Sequence, residues 1–183
     1  RFLDDDRQLL FVLSSVRDPA IVPAVLDVLT RGELEQADRD RAVRLLADLG
    51  GPAQLRLALD LALAKNTPPA QQAALLDALA NTAGSRKVRP SGDLKAIAGL
   101  FASGSPAVRR AAVQCAGIWK QESLREPITA LATNTATPES LRQVALESLA
   151  ALGGGTSGKQ LRTLATGKLP ASARLQALTA LVA

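Results

Sequence analysis

The chain has 183 residues, 47 % of them apolar but only 2 % aromatic, and its 22 Lys and Arg against 17 Asp and Glu leave a net charge of +5. It holds no His, no Met and a single Cys, which excludes an imidazole base or ligand, an intrachain disulfide, and a Cys-rich zinc or iron–sulfur site built from this chain alone. No apolar run approaches the ~18 residues of a membrane-spanning helix, and no signal-like segment opens the chain.

The first element is a helix beginning at Asp4, Asp5 and Asp6, acidic groups that complement the positive end of the dipole, with Leu9, Leu10, Leu13 and Val16 as its stripe. Asp18-Pro19 restarts the chain. Ile21, Val22, Val25, Leu26, Val28 and Leu29 then mark a partner helix, with Pro23 in the first turn, where a missing amide costs little. A polar linker over 31–37 leads to a second helical pair, capped by Asp38 or a neighbour.

Residues 51–66 pose a choice. Leu55, Leu57, Leu59, Leu61 and Leu63 alternate as in a half-buried strand, yet the residues between them are Arg, Ala and Asp, none β-branched. Pro52 opens the segment as a first helical residue does, and sixteen residues is long for a strand. The segment reads as a helix buried on most sides. Farther on, Thr67-Pro68, Ser105-Pro106 and Thr137-Pro138 read as one restart device, a hydroxyl N-cap followed by proline at the first helical position. Second helices are expected over 93–102, 123–133 and 158–166, and a last helix from Ala171 to Ala183. The clearest helix starts at Pro138, carries Leu141, Ala145, Ser148, Leu149 and Leu152 on one stripe, and ends at Gly153.

That helix is one member of a series. Asp6, Arg39, Gln72, Arg109, Arg142 and Arg174 each precede a similar apolar ladder, and they recur at steps of 33, 33, 37, 33 and 32. A period in this range marks stacked helical hairpins sharing a continuous core. The expected fold is all-α, a right-handed α-α superhelix of about five hairpins plus a terminal helix. It forms a single domain over 1–183, with repeats near 1–36, 37–66, 67–104, 105–136 and 137–168 and a partial one over 169–183.

The pattern Pro-x-Val-Arg-x-Ala-Ala at Pro106 to Ala112, beside Arg39-Asp-Arg-Ala-Val and Arg142-Gln-Val-Ala-Leu, resembles HEAT repeats, especially the short bacterial, phycobilisome-lyase-type variety. The resemblance covers essentially the whole chain and implies an armadillo-type α-solenoid. Tetratricopeptide repeats have a similar period, but their tyrosine positions are absent, since there is no Tyr. HEAT-like families act mostly as scaffolds and spacers that bind partners along a concave face. Ala/Leu-rich arrays in some exported bacterial proteins are similar in composition and separate a propeller from a c-type cytochrome; no CxxCH motif is present here.

Few constellations carry chemistry. Asp4, Asp5, Asp6, Asp38 and Asp40 fall at helix starts, where capping and solvation account for them. Gly153 to Lys159 invites comparison with a phosphate-binding loop, but Gln160 replaces the hydroxyl and a helix, not a strand, precedes it. It reads as an inter-helix turn. Cys115 aligns with Ser148 and reads as a small buried residue, and Trp119 as core beside Val113 and Ala116. The loop 81–92 supplies the four extra residues of the 37-residue step and contains Arg86, Lys87 and Arg89, the densest basic cluster and the candidate partner-binding site.

The functional expectation is a non-catalytic scaffold or spacer, with no cofactor and no membrane insertion, monomeric, whose partner is another protein or a neighbouring domain of the same chain. The alternative is DNA binding through the dispersed arginines and the 81–92 loop, of the general electrostatic kind. Leu175, Leu178, Leu181 and Val182 form a stripe with nothing following to cover it, and Phe2 and Leu3 are apolar at the other end. The chain is therefore expected to be an excised module of a longer protein.

Overall fold

A computed structural model describes residues 12, 15–16, 18–31 and 34–182. Of the first expected helix, its acidic start at Asp4, Asp5 and Asp6 and its stripe residues Leu9, Leu10 and Leu13 lie outside these residues. All regular structure among the described residues is helical, with no strand. The helices are α1 (Val22–Arg31), α2 (Gln36–Leu49), α3 (Pro52–Leu63), α4 (Pro69–Ser85), α5 (Pro106–Ile118), α6 (Arg125–Thr133), α7 (Glu139–Leu152), α8 (Gly154–Thr166) and α9 (Ala171–Val182). Short 3-10 turns occupy Pro19–Ile21, Lys95–Ala102 and Glu122–Leu124. The chain divides into two compact units, Arg1–Asp93 and Leu94–Ala183.

In the first unit each helix packs on the next and on the next but one: α1 on α2 and α3, α2 on α3 and α4, α3 on α4. Asp18 caps the 3-10 turn Pro19–Ile21, its Oδ1 accepting from the Ala20 amide at 2.8 Å. Val22, Val25, Leu26, Val28 and Leu29 are all buried, so α1 presents the stripe read from sequence. The alternating leucines of α3 do form a helix, but burial follows helical spacing only: Leu55, Ala58, Leu59 and Ala62 are buried while Leu57 is 52 % exposed. The leucine alternation crosses the stripe instead of following it, so the expectation of burial on most sides is corrected.

In the second unit α5, α7 and α9 stack in succession, and α6 and α8 cover α7. All five stripe residues of α7, Leu141, Ala145, Ser148, Leu149 and Leu152, are buried. The 93–102 segment is a 3-10 turn, not an α-helix, and α8 starts at Gly154, four residues earlier than expected. Gly154, Gly155 and Gly158 are helical, and only Gly153, with φ +75°, makes the break. Helix α9 is inverted relative to the others. Its alanines 173, 177 and 180 face the core, while Leu175, Leu178 and Val182 are exposed.

The restart device is corrected at two of three places. Only Ser105 caps its helix, Oγ accepting from the Val108 amide. Thr67 and Thr137 precede the caps, which are Pro68 and Pro138. The Thr67 hydroxyl points backwards and donates to the Leu61 carbonyl at 2.6 Å. Likewise Asp38 is not a cap; that position is Glu35, and Asp38 sits in the first turn, 3.3 Å from Arg41.

The periodic marker column has a structural task. Gln72 Nε2 donates to the carbonyls of Ala62 (2.9 Å) and Ala64 (3.5 Å), at the end of α3. Arg142 Nη2 donates to Asn134, Thr135 and Thr137 at 3.4, 3.2 and 2.8 Å, at and just beyond the end of α6, although its buried Nε finds no partner. Arg39 Nη2 donates to Leu34 at 3.0 Å. Each reaches back from a helix's first turns to close the turn before it; for Gln72 and Arg142 the acceptors include carbonyls at a helix end, which have run out of amide donors.

Helices also meet through small polar groups. Thr82 on α4 donates to the Ala47 carbonyl on α2 at 3.1 Å, and Ser148 on α7 to Val113 on α5 at 3.0 Å, each 35 residues back. At the second crossing Gly117 lets the backbones approach: a Cβ there would lie 2.7 Å from both Cα and Cβ of Ser148. Gly117→Ala therefore forces backbone apart, and the strain outweighs the better helix propensity of alanine, for a net loss of about 1–2 kcal/mol. Chemical denaturation measures this; equal or higher stability for the variant would contradict it.

Candidate partner-binding surface

The 81–92 insertion divides between two structures. Residues up to Ser85 prolong α4, and the rest is a loop tied to the ends of α2 and α3. Arg86 Nη1 donates to Ala47 (2.7 Å) and Gly50 (3.0 Å), carbonyls of the last turn and C-cap of α2. Lys87, in left-handed backbone at φ +58°, donates through Nζ to Gly84 at 2.7 Å in the last turn of α4. The Ser91 amide bonds Pro52, Arg56 Nη1 reaches the Asp93 carbonyl at 2.6 Å, and Pro90 is buried. Arg86, Lys87 and Arg89 are exposed and close in sequence, as the spacing predicts. Two of the three charges are nevertheless engaged on helix carbonyls of their own unit, where a cation also complements the negative helix end.

The glycine turn is built around a residue the sequence reading passed over. Arg125, buried at the start of α6, holds both carboxylate oxygens of Glu122 at 2.5 and 2.8 Å. It also donates to Ser157 Oγ at 2.7 Å, Gln160 Oε1 at 3.2 Å and the Gly153 carbonyl at 3.3 Å. One guanidinium thus joins the ends of α6, α7 and α8. Gln160, the residue that broke the resemblance to a phosphate loop, is one of its partners. The signal was present as polar residues about one period downstream: Ser157 and Gln160 lie 32 and 35 residues beyond Arg125.

Cys115 and Trp119 are buried as read, Trp119 at the C-cap of α5. Among the described residues no group of three or more His, Cys, Asp or Glu side chains comes together, and no helix is long and apolar enough to cross a membrane. Among the described residues, surfaces open to a partner include the exposed leucine face of α9 and a cleft of about 250 Å³ between the first turns of α5 and α7. The sequence matches no known family model, and no curated protein matches it.

The hydrogen bonds from Arg125 hold the Glu122 carboxyl below its ordinary 4.5, and the same contact raises Arg125. A carboxylate lowered in the folded state stabilises the fold above its unfolded pKa and loses that contribution as pH falls through the folded one. Glu122 is 67 % exposed, so solvent screens the pair and the effect is modest. Melting temperature should therefore drop more between pH 6 and pH 3 for the native chain than for Glu122→Gln, both scanned in the same buffers. Parallel pH profiles would show that the pair contributes nothing to folding.

Proposed function

We propose that the chain is a HEAT-like, right-handed α-solenoid that serves as a non-catalytic scaffold or spacer and binds another protein or a neighbouring domain. The observation that carries the reading is the inversion of α9: alanines pack inward while Leu175, Leu178 and Val182, spaced three and four apart, are left 65, 47 and 84 % exposed. Large apolar side chains on a face that alanine could have filled suit an interface, because exposed leucine gains nothing in water. The 33-residue recurrence, and helices that pack on the next and the next but one, support the repeat reading. Buried Gln71, Thr67, Thr82, Arg142 and Ser148 all donate to backbone carbonyls, Gln71 to Leu29 at 3.1 Å, so these side chains serve architecture.

DNA binding through Arg86, Lys87 and Arg89 is the weaker reading, since Arg86 and Lys87 are committed to helix ends. A photo-crosslinking residue at Leu178 should capture a protein in extract of the source cells, with Lys65, exposed on the other unit, as the control position. Retention on DNA should vanish at 0.15 M salt. Retention that survives that salt, with no crosslink specific to position 178, would reverse the assignment.

A further inference from the structure

At the marker column Arg109 departs from the pattern. The turn before α5 has three residues, Ser103 to Ser105, whereas those before α4 and α7 have five. The shorter turn brings no carbonyl to the guanidinium. Arg109 makes no side-chain hydrogen bond or ion pair among the described residues, and its Nε is buried without a partner. Arg110 next to it is exposed and also makes none. Both line the cleft of about 250 Å³, whose other walls are Pro106, Ala107, Pro138, Ser140 and Leu141.

We propose that this cleft receives a carboxylate side chain of an acidic protein segment, with Arg109 and Arg110 as its counter-charges. Three features favour that occupant. The volume is below the ~300 Å³ at which small-molecule pockets begin, so it suits one or two side chains. Its walls mix two guanidiniums and a hydroxyl with proline, alanine and leucine, which matches a Glu carboxylate carried on an apolar stem beside an apolar neighbour. An uncommitted arginine pair gains most from a fixed carboxylate, which it can grip bidentately.

The inference rests on the protein-binding reading, but its test is independent of the α9 face. The probe is the peptide Glu-Leu-Glu-Leu-Glu, its ends blocked, titrated into the ¹⁵N-labelled full chain at 0.15 M salt beside its all-Gln twin and inorganic phosphate at equal ionic strength. The expected result is saturable shifts at Arg109, Arg110 and Ser140 with the Glu peptide only. Arg109→Gln with Arg110→Gln should weaken it at least about tenfold. Ser140→Glu, an exposed second helical position that tolerates an acid, should also block binding with helix content unchanged. Binding of the Gln twin, equal competition by phosphate, shifts centred on 86–92, or no saturable shift at all would each overturn the proposal. The crosslink at Leu178 stands or falls separately.

Discussion

An α-helix leaves its last carbonyls without amide donors, and a chain made of short helices joined by tight turns meets that deficit again and again. Here the usual remedy, a basic side chain in the last turn, is missing from α2 through α7. The donors come from elsewhere in the chain. Arg86 serves α2, Gln72 and Thr67 serve α3, Lys87 serves α4, Gln121 reaches the Trp119 C-cap carbonyl of α5, Arg142 serves α6 and Arg125 serves α7. Three members of the periodic column, Arg39, Gln72 and Arg142, take part, each placed where it can reach back over the turn before its own helix.

The constraint changes the meaning of the positive charge. A net charge of +5 invites an anionic partner. Yet Arg39, Arg86, Lys87, Arg125 and Arg142 all donate to backbone carbonyls, and for Arg86, Lys87, Arg125 and Arg142 the cation also offsets a negative helix end. Charge bound up in this way adds little to recognition. Arg109 and Arg110 stand outside the scheme because the turn before them is too short to need a clamp.

Helix identity was legible because apolar spacing and proline positions agree, even for the misleading leucines 55 to 63. The stripe of α7 could be read residue by residue for the same reason. What could not be read was the direction in which short polar side chains bond. Thr67 and Thr137 stand beside proline as caps would, but proline itself took the cap position and Thr67 turned to the helix behind it. The 153–159 glycines looked like a turn because glycine is a poor helix former; Ser157 and Gln160, held by Arg125, anchor them into α8 regardless. The role of Arg125 is not legible locally because its partners Ser157 and Gln160 lie about one repeat away.

The claim that reach-back donors hold the turns has a direct test within the marker column itself. Arg142 is buried and bonds three carbonyls, whereas Arg174 occupies the matching position and is exposed. Methionine keeps the apolar stem of each and removes the guanidinium. Equilibrium unfolding should show a loss of about 1–3 kcal/mol for Arg142→Met and a change within about 0.5 kcal/mol for Arg174→Met. Equal effects at the two positions, or no effect at Arg142, would contradict the account.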